Sequence, residues 1–373
     1  MENPSKGAIE LLVEALAEAH STAKAKLAER RLLNYIKKRG NPVVVGTTVI
    51  FFYRKMHDGH VSIIGDWNKW QPSVDTLGQI NKHSNICYLI KQFPVDARLP
   101  YRIVEGEEST LDPLSSKISL GPLGTNSYFQ MPGCMDIPYL NSTSESIPQG
   151  KLIPLEVKGN KVIGKRTVQV YIPARYKPVK GQRIIYINDG AEAITIGKCT
   201  TILDNLYYHE PHLERVIAVF VPPVDRHGEY MLNDDFTKWF ATALVRQVEA
   251  HLGITTTGDK RAIQGASLGG LLSAHVGLKH SKVFGSIICQ SSSFWVDDMK
   301  IISLFRKQKM LPLRWYLHTG TINDAEVGTG AMLEALQDKG YEVTYRETTE
   351  SHNWLNWSAK YAEMIRWCSG VQG

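Results

Sequence analysis

Beyond Lys151, apolar runs of strand length alternate with helical patterns, and no other feature limits the possible folds as strongly. RTVQVYIP, RIIYIND and RVIAVFVPP read as strands, residues 233–252 as an amphipathic helix, and residues 261–264 as a short strand. A helix over 268–278, strands over 284–290 and 314–318, a helix over 326–339, a strand over 341–347 and a final helix near 354–367 complete the series. Strands alternating with helices imply an α/β fold with a mainly parallel sheet covered on both faces. Such a sheet carries its site at the carboxyl ends of the strands.

Gly265-Ala266-Ser267-Leu268-Gly269 lies where this series places a strand-to-helix turn. A bare G-x-S-x-G is weak evidence, but between a strand and a helix it describes a nucleophile elbow. Gly265 and Gly269 are expected to remove side chains that would strike neighbouring backbone. The Leu268 N–H, at the helix start, is the expected first oxyanion donor. A second is expected from the loop after an early strand, where Asp189-Gly190-Ala191 offers Gly190 or Ala191.

A serine hydroxyl needs a base, and the base needs an orienting acid. The expected order is Ser, then Asp or Glu, then His, each after a later strand. RWYLHTGTINDAEVG supplies Asp324, with Glu326 as the alternative acid, and YEVTYRETTESHNWLNW supplies His352. Arg226 is a candidate for binding an anionic substrate, the alternative being an ion pair with Glu229 or Asp225. Trp295 and Trp354 are candidates for stacking on an acyl group, the alternative being packing in the wall of the cleft.

Ahead of this region the texture differs. Residues 1–41 form an N-terminal extension whose first 39 residues read as one helix capped by Ser5 and stopped by Gly40 and Pro42. Its narrow apolar stripe is expected to pack on the protein's own surface or to mediate self-association. Residues 42–133 hold short β-rich runs, VVVGTTVIFFYR, HVSIIGDW, ICYLIKQF and YRIVEG, separated by turn residues. That pattern predicts an all-β sandwich. Within it Gly65-Asp66-Trp67-Asn68-Lys69-Trp70 places two indoles close enough to pack together. Residues 134–149, rich in Ser, Asn and Pro, read as a linker to the domain at 150–373.

Bulk properties narrow the function classes. The 373 residues carry a net charge of +6, with 16 basic against 15 acidic residues in the first 150. No basic run resembles a nucleic-acid footprint. The five cysteines are odd in number and lack C-x-x-C spacing, so reduced thiols are expected, without a zinc site. No metal or other cofactor is called for. The start of the chain has no uninterrupted apolar segment of the secretory kind, and no stretch is apolar enough to span a membrane. A cytoplasmic protein is the expectation.

Gly65-Asp66-Trp67-Asn68-Lys69-Trp70 resembles the G-D-F-N-x-W signature of early-set immunoglobulin-like domains, among them carbohydrate-binding modules. Further along come Asp189-Gly190, Asp225-Arg226, Glu229-Tyr230, Asn233 and Phe236, and the elbow at Ser267. Gln290-Ser291-Ser292-Ser293-Phe294-Trp295 and Ser351-His352-Asn353-Trp354 with Trp357 follow in order. Over residues 42–369 this ordered set resembles the enterochelin esterases of the esterase D group of α/β-hydrolases. The resemblance implies Ser267 and His352 as catalytic, Asp324 as the acid, and a siderophore-type ester or trilactone as substrate. The family often has Gly-Gly-His-Asp-Trp where this chain has Glu350-Ser351-His352-Asn353-Trp354. It often has Ser-Gly-Ser at 291–293 and Arg at 358, where this chain has Ser358. Two other functions stay open. One is a feruloyl or acetyl esterase on polysaccharide, with Trp67 and Trp70 as a sugar platform. The other is an inactive binding protein on a hydrolase fold.

Overall fold

The structure is a computed structural model that describes residues 5–121, 124–141, 146–159, 163–177, 179 and 181–370. The chain divides into two compact units, Met1–Met135 with Thr349–Ser351, and Asp136–Thr348 with His352–Gly373.

Among the described residues of the first unit nine strands form two antiparallel sheets. They are β1 (Val43–Val45), β2 (Thr48–Arg54), β3 (Val61–Gly65), β4 (Gly78–Gln79), β5 (Ile86–Gln92), β6 (Arg98–Glu105), β7 (Glu108–Thr110), β8 (Ile118–Gly121) and β9 (Gly124–Gln130). One sheet has the order β1-β2-β5-β4; the other has β3-β6-β9-β8, with β7 on β6. The run VIFFY at 49–53 in β2 is apolar at each position because both of its faces are covered. Side chains alternate across a strand. Phe51 therefore faces the other sheet, meeting Tyr101 and Phe129 at ring-centroid distances of 5.2 and 5.7 Å. Ile50 and Phe52 point the opposite way, into a cluster with two N-terminal helices.

Those helices, Ser5–Ala17 and Thr22–Arg39, replace the single helix expected from the sequence. Ser21 has extended backbone and accepts the Lys24 N–H, so it starts a second helix, where periodicity alone carries through. The expected cap at Ser5 lies outside the described side chains. Asn81 donates to the carbonyls of Leu16, Ala17 and Ala19 at 3.0, 2.9 and 3.0 Å, closing the end of the first helix. Ile9, Leu16, Leu32 and Ile36 are buried against β1, β2 and β5, so the apolar stripe covers the unit's own sheet. Trp67 and Trp70 do not pair with each other among the described ring contacts. Trp67 stacks on Phe51 and meets Phe93 edge-on, while the Trp70 indole donates to Asp66. Residues Thr349–Ser351 join this unit through Glu350, which Arg98 grips with two bonds of 2.9 Å, and Thr349, which donates to Asp96.

Among the described residues the second unit is built on eight strands: β10 (Lys151–Val157), β11 (Arg166–Ile172), β12 (Ile184–Asn188), β13 (Ile217–Val221), β14 (Arg261–Ala266), β15 (Ser286–Gln290), β16 (Arg314–Gly320) and β17 (Val343–Thr348). Their order is β10-β11-β13-β12-β14-β15-β16-β17, antiparallel at β10-β11-β13 and parallel from β13 to β17. Ile184 and Tyr186 of β12 belong to one core and Ile185 and Ile187 to another, so both faces are covered. β10 is an edge strand that the sequence reading does not identify: its apolar residues Leu152, Ile153, Leu155 and Val157 do not follow a clean alternation and are interrupted by Pro154. The final helix is two, Trp354–Ser358 and Tyr361–Cys368.

Residues 136–141 belong to the second unit and are packed, unlike the linker expected there. Ile137 is buried, Tyr139 donates to Glu210 at 2.7 Å, and Asn205 donates to the Tyr139 carbonyl at 2.6 Å. Isolated anchors of this kind leave no periodic trace. Of the same stretch, residues 142–145 lie outside the described residues. No helix among the described residues is long and apolar enough to cross a membrane.

Replacing the fully buried Ile36 by Ala should destabilise the first unit by about 2–5 kcal/mol, the usual range for emptying a packed aliphatic site. Leu11→Ala, at a position 67% exposed on the preceding helix, should stay within about 0.5 kcal/mol of the parent. Urea unfolding monitored by tryptophan emission reads both.

Candidate active site

Three neighbouring parallel strands, β12, β14 and β15, each run into a residue with left-handed φ. These are Asp189 (52°), Ser267 (57°) and Ser291 (43°). Such backbone is costly for non-glycine residues and persists only where its surroundings enforce it. At Ser267, with ψ −124°, the chain turns at once into the helix Leu268–His280. The Ser267 N–H donates to the Gln290 carbonyl at 2.9 Å, and its carbonyl accepts the Ser293 N–H at 3.0 Å. A Cβ on Gly265 would lie 2.2 Å from the Gly269 carbonyl, so glycine is obligatory there. Gly269 is less constrained than expected, its nearest contact being Asp189 Oδ2 at 3.1 Å. The tighter position is Gly270, whose Cβ would meet Ser292 Oγ at 1.9 Å. The Ser267 hydroxyl lies 3.3 Å from Ser293 Oγ.

Asp324 follows β16, and His352 precedes the helix Trp354–Ser358. Asp324 Oδ1 lies 2.7 Å from His352 Nδ1. The carboxylate has no exposed surface, while the imidazole is 39% exposed. Asp324 Oδ2 accepts the Ser291 hydroxyl and the Gly320 N–H, both at 2.6 Å. Burial pushes the Asp324 carboxyl up, but His352, Ser291 and the Gly320 amide outweigh it and hold it below the usual carboxylate range. Glu326 instead accepts the Asp324 N–H at 3.1 Å, which leaves Asp324 as the imidazole's partner.

Ser291 and Trp357 were quoted from the sequence without roles, and the structure joins them to this group. Trp357 Nε1 donates to Ser291 Oγ at 2.9 Å, and its ring meets His352 edge-on at 5.1 Å. Only a tertiary contact reveals this, since Ser291 and Trp357 lie 66 positions apart.

The loop after β12 is held against the elbow. Asn188 donates to the Gly269 carbonyl at 3.0 Å and to Ser273 Oγ at 3.1 Å. Gly190 opens a short helix, and its Cβ would fall 2.4 Å from the Phe220 carbonyl carbon, so no other residue fits. First-turn N–H groups have no partner within their helix, which leaves those of Leu268 and of Gly190 and Ala191 as donors.

Arg226 forms an ion pair, but with neither of the carboxylates expected for it. Its Nε and Nη2 grip Asp189 at 2.8 and 2.9 Å, while Glu229 pairs with Arg166 and Asp225 caps the Gly228 N–H. The bidentate face of the guanidinium is thus taken up by the loop, and Tyr230 OH accepts the Asp189 N–H at 3.1 Å beside it. Burial works against the Arg226 charge, but Asp189 more than restores it. Trp354 is buried, with its ring edge-on to Trp357 at 5.1 Å, so it is part of the core and not a stacking surface. Trp295 is 64% exposed.

A family model described as "Putative esterase" matches residues 159–368. Among curated proteins, the iron(III) enterobactin esterase of Dickeya dadantii is 25% identical over 180 residues, which cover 42% of this chain and 41% of that protein. The chain therefore matches less than half the length of that relative. Among solved structures, the ferric enterobactin esterase of Salmonella typhimurium superposes with a TM-score of 0.75 at 18% identity. That match covers 87% of this chain and 94% of the other. A ferulic acid esterase from Anaeromyces mucronatus, in complex with ferulic acid, superposes with a TM-score of 0.53 at 16% identity, covering 64% and 97%. These likenesses share the fold.

Behind the site His318 is fully buried, 3.4 Å from Gln290 and 3.2 Å from Thr348 Oγ1, and burial pulls its pKa down to about 3. An unfolded histidine titrates near 6.5. The unfolded chain therefore binds the extra proton first, and stability present above about pH 6.5 is lost as the pH falls toward 3. His318→Gln, which keeps polar atoms but cannot titrate in this range, should show a decline shallower by up to one proton. Urea midpoints collected from pH 7 to pH 4 supply the two slopes.

Proposed function

The chain belongs to the Putative esterase family and is a carboxylic ester hydrolase; from that premise we propose that it hydrolyses a siderophore-type ester or trilactone through Ser267, His352 and Asp324. The observation that carries the mechanism is the 2.7 Å bond between the buried Asp324 and His352, in the same unit as the strained Ser267 turn. Asp324 fixes the imidazole with Nδ1 protonated, which leaves Nε2 to accept the serine proton. The Ser267 hydroxyl leaves Ser293 for the imidazole and attacks the ester carbonyl. The N–H of Leu268 and that of Gly190 or Ala191 receive the oxyanion. His352 returns the proton to the leaving alcohol, and water, deprotonated by the same base, releases the acyl group.

Arg226 acts on substrate through the Asp189 loop in this reading. Trp295, exposed just ahead of the helix Val296–Lys307, remains the candidate for contact with an aromatic acyl group. Ser291 and Trp357 are positioning residues: the indole N–H polarises the Ser291 hydroxyl, which in turn holds the carboxylate.

The substrate class rests on coverage. The enterobactin esterase match extends over 87% of the chain, whereas the ferulic acid esterase match stops at 64%. The polysaccharide reading would use Trp67 and Trp70 as a platform, yet Trp67 is packed among Phe51, Phe93 and Phe129 and donates to Asp75 at 2.7 Å.

One mixture decides between these substrates: a ferric catecholate trilactone with feruloylated and acetylated xylo-oligosaccharides, analysed by mass spectrometry. Loss of the trilactone, and a fall in rate of roughly 10⁴-fold or more in Ser267→Ala, is expected. Release of ferulate or acetate alone would sink the siderophore reading. A mixture left unchanged by the intact protein would favour the inactive binding protein. Ser291→Ala should lower kcat roughly 10- to 100-fold, the value of a hydrogen bond to a charged group, with KM little changed. Its carboxylate, short of one donor, attracts the imidazolium more strongly, so the acid limb of kcat/KM moves to higher pH. Trp357→Phe should shift the limb the same way by less, and by nothing further once Ser291 is Ala. A shift that persists in the double variant would remove the hydroxyl from the chain.

A further inference from the structure

The first unit contains a cleft of about 450 Å³ between the end of the helix Thr22–Arg39, β1 and the segment around β8 and β9. Lys37, Lys38, Arg39 and Lys117 all line it, and no Asp or Glu does. Among the described residues none of the four has a carboxylate partner, although the chain as a whole carries 43 basic and 37 acidic residues. Asp112, behind the cleft-lining Asn41, is engaged by the Asn41 amide at 2.6 Å and by Tyr101 OH at 2.5 Å.

Basic residues in the last turn of a helix are ordinary complements to its dipole. That accounts for Lys37, Lys38 and Arg39 but not for Lys117, which arrives from a different element. Two aromatic rings stand in the same walls. Arg39 lies 5.8 Å from the Tyr35 ring centre, and Lys117 lies 5.9 Å from that of Tyr128. Stacked cations of this kind lose less freedom when an anion arrives than free lysines do. Four like charges around one concavity repel one another, and the concave low-dielectric wall focuses their field on whatever enters.

We propose that this cleft binds a small organic polyanion, one with several charged oxygens on or beside a flat ring. The charges meet Lys37, Lys38, Arg39 and Lys117, and the ring lies along Tyr35 or Tyr128. Two sources supply that chemistry, a phosphorylated nucleoside and an iron(III) tris-catecholate complex. The cleft is built from residues of the first unit and the Ser267 mechanism invokes none of them, so its failure would leave the esterase reading untouched.

The test is calorimetric titration of the full chain with ATP, with iron(III) tris-catecholate and with uncharged maltotriose, at two ionic strengths. One of the two anions should bind at one equivalent, more weakly at higher salt, and maltotriose should not bind. The anion that binds identifies the source. Lys117→Glu and the pair Lys37→Glu/Lys38→Glu, all at exposed positions, should each weaken binding tenfold or more while turnover of a small aryl acetate stays unchanged. Binding of neither anion, or binding that both charge reversals leave intact, would overturn the proposal.

Discussion

A carboxylate with no exposed surface is tolerable only if several donors share its charge, and at Asp324 those donors come from separate parts of the second unit. His352 reaches it from the segment beyond β17, Ser291 from the end of β15, and the Gly320 amide from β16 itself. Each satisfies part of the anion, and together they tie three consecutive strand ends to one point. The edge of the sheet that holds the candidate site is therefore assembled around a charge. An amide or an alanine at 324 would remove the imidazole's partner and also the reason for two neighbouring loops to be where they are. The same economy applies on the other side of the elbow. There the Asp189 carboxylate, gripped by Arg226, holds a left-handed residue ahead of an obligatory glycine.

The parts legible in the sequence were those whose cause is local. Parallel strands covered on both faces are apolar at every position, so β12 and β13 are visible as IIYIN and IAVFV without any knowledge of their neighbours. The elbow announces itself because a tight strand-to-helix turn demands small residues at fixed offsets. Asp324 and His352 are readable because each lies in a short loop just after a recognisable strand. What escaped was set by partners far along the chain. Arg226 has three carboxylates in sequence reach or topological reach, and only the folded loop chooses Asp189 over Glu229 and Asp225. Trp354 leaves stacking on a substrate and packing in the wall both open in the sequence, and only the short helix it starts decides for packing, with its ring edge-on to Trp357. The break between the first two helices depended on one serine cap inside an unbroken polar pattern.

Departures from the family's usual motifs fall where packing accounts for them. The serine run at 291–293 puts a side chain at 292 where the pattern often has glycine. Ser292 Oγ occupies the space a Cβ on residue 270 would need, and that residue is Gly270. At 350 and 351, where two glycines are usual, Glu350 sits in a buried pair with Arg98 and Ser351 donates to Asp66. A buried pair of this kind contributes little net stability, but neither member can change alone without stranding the other's charge. The substitutions at 292, 350 and 351 are thus each bound to a partner already present. The three positions proposed to do the chemistry, Ser267, Asp324 and His352, keep side chains that packing alone would not select. A strained serine backbone and a buried carboxylate are both destabilising choices, and the chain retains them in the turns after β14 and β16, where the proposed attack on an ester carbonyl needs them.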